Sequence, residues 1–205
     1  MFIGGERMRK NVKKIDVRSK YTQSLIQKAL ITLLTKESIN EITIKELCLT
    51  AGISRGTFYN QFFDVYDVYE TIEDESYNEI VKRVETGKVY SFDSKFFLDM
   101  LYYIVSNKDW FMIIFSNINS SKLATRIISY LKSKFIKEFK ELNPKLDEGI
   151  LNTVFTYSIT GSIGIVSQWL NEGAKVDPTL MAKEISALIK VTFEGYIKET
   201  KTLLA

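Results

Sequence analysis

The stretch Thr43–Phe63, TIKELCLTAGISRGTFYNQFF, decides the fold, because it carries the signals of two short helices joined by a glycine turn. Thr43-Ile44-Lys45-Glu46 fits a capping box, in which the Thr43 hydroxyl accepts from the backbone N–H three residues on and Glu46 reaches back. Ile42 before the cap and Leu47 behind it make a hydrophobic staple. Ile44, Leu47 and Cys48 repeat at helical spacing, and Gly52 is free to take the positive φ that ends a helix. Ile53 supplies the core contact of the turn, and Ser54 caps a second helix predicted over residues 55–61. This is how a helix-turn-helix is written, although the same geometry also serves as plain packing in proteins that never meet DNA.

If the second helix reads DNA, Arg55 is the expected base-edge contact, to guanine first, with Thr57 and Asn60 as lesser candidates. Tyr59, Thr43 and Lys45 are expected on phosphates, Ser54 opens the helix, and Gly56 lets the backbone come close. Two such helices in a dimer imply a pseudo-palindromic operator with half-sites about one turn apart.

The text ITIKELCLTAGISRGTFYNQF resembles the DNA-binding domain of the TetR family of bacterial transcription regulators. The resemblance extends upstream through Tyr21-Thr22, Ile26, Ala29 and Leu33-Leu34, and downstream from Asp64-Val65-Tyr66-Asp67 to Ile72-Glu73-Asp74-Glu75. It covers about the first third of the chain. Val65 departs from the pattern, since many members carry a phosphate-binding lysine there, and that contact is not carried over. The resemblance implies an all-α fold of about nine helices. A flexible basic arm over 1–17 precedes a three-helix DNA-binding domain over 18–64 and a helical regulatory and dimerisation domain over 65–205. It also implies a double-stranded DNA operator and a homodimer as partners.

The charge distribution agrees. The 205 residues carry a net charge of +3, yet residues 1–60 hold eleven basic against five acidic side chains, so the remainder is net acidic. A basic amino-terminal part on a mildly acidic body is the electrostatic footprint of a nucleic-acid reader. Ile3-Gly4-Gly5-Glu6-Arg7 reads like a translated ribosome-binding sequence, which makes Met8 a candidate start. The amino terminus lacks the apolar region of a signal peptide, and no apolar run is expected to reach the length of a membrane span, so the expected location is the cytoplasm, on the nucleoid.

Catalysis is not expected. There is no histidine, which removes the commonest general base and metal ligand, and no phosphate-binding glycine loop. Cys48 stands at an apolar helix position, and Glu73, Asp74 and Glu75 are expected on a solvated helix face. No cofactor or metal is implied.

Helical periodicity predicts a first helix over 19–36, a fourth over 64–86 and further helices over 96–105, 109–116 and 120–142. Asn143-Pro144 and Asp177-Pro178 each read as a cap followed by a first-turn proline, so the two prolines are expected to open the last two helices. Over 144–171 apolar residues cover more than one face, and Gly161 and Gly164 suggest that another helix comes close. By resemblance the last two helices meet those of a twin, with Ile163, Val166, Trp169, Leu188, Ile189 and Phe193 in the interface. Again by resemblance, the aromatic middle forms an effector pocket for a small apolar or aromatic compound, lined by Phe97, Leu101, Trp110, Phe111, Phe115, Tyr130 and Phe155, with Asn117 or Tyr130 offering polar contacts. Residues 160–180 resemble one branch of the family found in low-GC Gram-positive bacteria, some members of which, such as an activator of dihydroxyacetone kinase genes, respond to a protein partner instead of a small molecule. Three readings therefore stand: a ligand-released repressor, a DNA-bound regulator controlled by a protein partner, and a helical interaction protein without DNA binding.

Overall fold

A computed structural model describes residues 17–87 and 93–203; the predicted basic arm lies outside them, apart from Val17, as do the loop residues 88–92. Among the described residues the chain forms nine helices and no strand. It divides into two compact units, residues 1–69 and 70–205, and the division falls inside the fourth helix.

In the first unit, α1 (Val17–Leu34) packs on α2 (Ile44–Ala51), which packs on α3 (Arg55–Tyr59). The local signals act as the residues dictate. The Thr43 hydroxyl accepts from Glu46 N–H at 3.2 Å. Gly52 closes α2 at φ 67°, with its N–H on Leu49 C=O and the Ile53 N–H on Cys48 C=O, so two otherwise orphaned carbonyls are satisfied. Ser54 Oγ accepts from Thr57 N–H at 3.1 Å and starts α3, which is shorter than the spacing predicts. Ile26, Leu30, Leu47, Cys48 and Phe58 are among the side chains that fill this unit's core. Burial raises the pKa of the Cys48 thiol, which marks it as a packing residue.

α4 (Val65–Thr86) begins where the Asp64 carboxylate accepts from Asp67 N–H at 2.8 Å. The second unit adds α5 (Ser94–Ser106), α6 (Lys108–Ser116), α7 (Lys122–Leu142), α8 (Glu148–Asn171) and α9 (Pro178–Leu203). α8 packs against α6, α7 and α9, and α5 lies along α9. Phe135, Phe139, Leu151, Val154 and Phe155 form a hydrophobic cluster, and Phe193 stacks on Phe139 with centroids 4.3 Å apart.

Three expectations are corrected here. Pro178 does open α9, but Pro144 does not open α8. Asp147 does so, its carboxylate accepting from Ile150 N–H at 3.0 Å, while Pro144 sits in a preceding turn closed by Leu146 N–H on Asn143 C=O. Both sites read as a capping residue, but only Asp147 has an unbroken helix after it. Second, α8 is long and apolar enough, by length and composition alone, to cross a membrane, contrary to the expectation that no run would be. Its apolar residues Leu151, Val154, Phe155, Val166, Trp169 and Leu170 are buried inside the second unit instead. Third, Glu73 is not solvated: it is only 6% exposed.

Candidate functional site

The reader begins with α3. Phe58 is fully buried, with Tyr59 edge-on to it at 5.6 Å and Phe62 at 6.2 Å, so one face of this short helix is fixed to the core. One residue per 100° then turns Arg55, Gly56, Tyr59 and Asn60 outward together, and all four are exposed. Thr57 is half-buried, its hydroxyl 2.9 Å from that of Ser54. Thr43 and Lys45 are exposed at the start of α2, Thr43 with its hydroxyl engaged as a cap. Arg55 forms no ion pair among the described residues, so its guanidinium is available to an external acceptor. Gly56 is informative too: a Cβ there would touch only Ser54 Oγ, at an ordinary 3.8 Å. Nothing among the described residues requires the missing side chain.

The second unit holds a half-open cavity of about 200 Å³, walled by α4 to α9. Phe97, Leu101, Phe111, Phe115 and Phe155 line it; Trp110 and Tyr130 do not. Trp110 is buried outside the lining, and the Tyr130 hydroxyl donates to the Glu85 carboxylate while its ring meets Tyr77 edge-on. Burial and that hydrogen bond push the Tyr130 pKa up to about 12. Asn117 is likewise committed, donating to Ile113 C=O at the end of α6. The polar residues that do face the cavity are Ser158 and Ser162, one helical turn apart on α8. Two serines four apart among isoleucines were the available sequence signal for them.

The six residues expected between twin subunits separate. Ile163, Val166 and Ile189 line the cavity. Trp169 is buried with its indole N–H donating to Val176 C=O at 3.0 Å, and Phe193 packs on Phe135 and Phe139. Leu188 alone is fully outward, 55% exposed. It shares an exposed apolar surface type with Tyr157 on α8, 69% exposed, and Val191 on α9, also 69% exposed. Gly161, Gly164 and Gly195 are exposed as well, and a Cβ on any of them would meet nothing within 4 Å. Among the described residues, therefore, nothing comes close to Gly161 and Gly164 on the side a Cβ would occupy.

Glu73 was missed by sequence reasoning because its partner is fifty residues away. At the start of α7, Ser121 Oγ takes the Ala124 N–H at 3.1 Å, and the Glu73 carboxylate takes the Leu123 N–H at 3.2 Å. Two of the helix's orphan donors are thus satisfied, one by a capping residue and one by a buried acid from α4. Burial raises the Glu73 pKa, against the pull of the Leu123 N–H and the nearby Lys122 and Arg126. Arg126 is held beside it by Asp74 at 2.7 Å and lies over the Tyr77 ring.

Residues 94–191 match the family described as transcriptional regulator C-terminal region. Among solved structures, the chain is similar in fold to the dihydroxyacetone kinase operon activator DhaS, at 19% identity and TM-score 0.60, covering 84% of this chain and 96% of that one. It is similar to a TetR transcriptional regulator from Streptococcus agalactiae, at 16% identity and TM-score 0.56, covering 84% and 95%. It is also similar to the fatty acid degradation regulator FadR from Bacillus halodurans, at 16% identity and TM-score 0.62, covering 82% and 94%. No curated protein matches the sequence.

Proposed function

We propose that this chain is a transcription regulator of the TetR family, a repressor that binds a pseudo-palindromic operator as a dimer, a reading supported by the match of residues 94–191 to the regulator C-terminal family and by the shared fold. A small apolar effector in the α4–α9 cavity releases it. The observation that carries the reader is the outward set Arg55, Gly56, Tyr59 and Asn60 on a helix anchored through Phe58. An unpaired guanidinium beside a glycine with no internal reason to be glycine fits close approach to a groove. Lys45 and the Thr43 end of α2 then serve phosphates. Twin subunits meet through the outward faces of α8 and α9, with Leu188, Val191 and Tyr157 as the apolar contacts. The exposed Gly161 and Gly164 allow the partner's backbone near.

The test is selection from random duplexes, followed by binding of the selected site at several salt concentrations. An inverted repeat is expected, with affinity falling steeply as salt rises. Arg55→Ala should cost roughly 1 to 3 kcal/mol and relax preference at one base pair per half-site, whereas Lys45→Ala should weaken all sequences alike. Return of no inverted repeat, or an Arg55→Ala protein with unchanged motif and affinity, removes α3 as the reader.

A further inference from the structure

The cavity walls identify the kind of molecule they would hold. All but two of the lining residues are apolar, and none is ionisable. No lysine or arginine lines the cavity, and three cations on the surrounding helices are committed elsewhere: Arg83 to Glu79 and Asp99, Arg126 to Asp74, and Lys134 to Glu85 and Glu138. A carboxylate or ammonium carried to the depth of this half-open space would lose its water and find no counter-charge in the walls, which is strongly disfavoured.

One polar group is left over. Ser158 Oγ is buried and has no hydrogen-bond partner. A helical serine or threonine can satisfy its hydroxyl by back-bonding to a carbonyl one turn earlier. Thr153 and Thr156 on the same helix do so, donating to Gly149 C=O at 3.0 Å and Asn152 C=O at 2.8 Å. Ser158 forgoes that bond while lining the cavity. Water is a poor occupant of so apolar a space, because an enclosed water needs two to four polar partners.

We propose that the cavity selects an uncharged, mainly apolar ligand carrying a single hydrogen-bonding group, which meets the Ser158 hydroxyl. Its size follows from the volume: an engineered apolar cavity of about 150 Å³ admits benzene, so this larger one takes on the order of ten non-hydrogen atoms. The inference rests on reading the cavity as the effector chamber.

Calorimetric titration of the full-length protein at neutral pH, with octan-1-ol, octanoate and octylammonium as a matched series and ethylbenzene as a probe without a polar group, tests it. Octan-1-ol and ethylbenzene should bind, and both ions should bind at least about a hundredfold more weakly than the alcohol. Ser158→Ala should weaken octan-1-ol about three- to tenfold and leave ethylbenzene unchanged, which also reports that the variant is folded. Either ion binding within tenfold of the alcohol, or an alcohol affinity indifferent to Ser158→Ala, overturns the inference and leaves the chamber standing. If none of the four probes binds, the effector chamber fails with it, while operator binding, measured separately, remains.

Discussion

Replacing Glu73 is the sharpest probe of the second unit, because one side chain there serves a helix end that local sequence leaves incomplete. Glu73→Ala removes the acceptor of the Leu123 N–H, a buried donor with an observed bond of 3.2 Å, and an orphaned buried donor costs about 1–3 kcal/mol. The attraction of a negative charge to a helix start, roughly 0.3–1 kcal/mol, is outweighed here by the charge's own burial, as the raised pKa shows, so losing the charge itself adds no cost. A net loss of about 2 kcal/mol is therefore expected, or roughly 4–8 °C in Tm for a chain of this size. Glu73→Gln keeps an oxygen in place and should stay within about 1 kcal/mol of the parent. The two also differ in pH dependence. Burial raises the folded-state pKa of Glu73, so the folded protein takes up this proton first, and its contribution to stability grows as pH falls through the raised value toward the ordinary carboxylate range. Equivalently, that contribution is lost as pH rises through the folded pKa, and the glutamine variant should lack it. Urea unfolding at about pH 5 and about pH 7.5, at one fixed protein concentration because the protein is expected to be dimeric, measures all three proteins. Equal destabilisation by glutamine and alanine would mean that the charge, not the acceptor, matters; no loss on Glu73→Ala would refute the helix-end account altogether.

Two further outcomes are expected. Leu188→Glu places a charge on an outward apolar position, so it should yield a folded monomer by sedimentation, whereas a wild type that is already monomeric ends the dimer reading. Ile163→Glu is a poorer probe of the same interface because it also puts a carboxylate into the cavity wall. Gly52→Ala meets no neighbour within 4 Å, so its cost should be the left-handed backbone alone, roughly 1–2 kcal/mol by denaturant midpoint, and a neutral result would show that the turn can relax.

By itself the sequence determined the helix-turn-helix. Its instructions are local: Thr43 to Glu46, Ser54 to Thr57 and Asp64 to Asp67 are each closed within three residues, and Gly52 ends α2 by its own conformational freedom. Amphipathic α3 could also be faced correctly, since a single large apolar residue, Phe58, sits among polar ones. Tertiary structure decided the rest. α8 is apolar around most of its circumference, so periodicity could not say that Ile163 and Val166 turn to the cavity while Gly161 and Gly164 turn to the surface. Nor could spacing choose between Asn143 and Asp147 as the start of α8, because both carry a capping side chain and only the packed helix selects one. Glu73 looked solvated for the same kind of reason: its burial and its hydrogen bond come from α7, and a charge's environment is set by what folds over it.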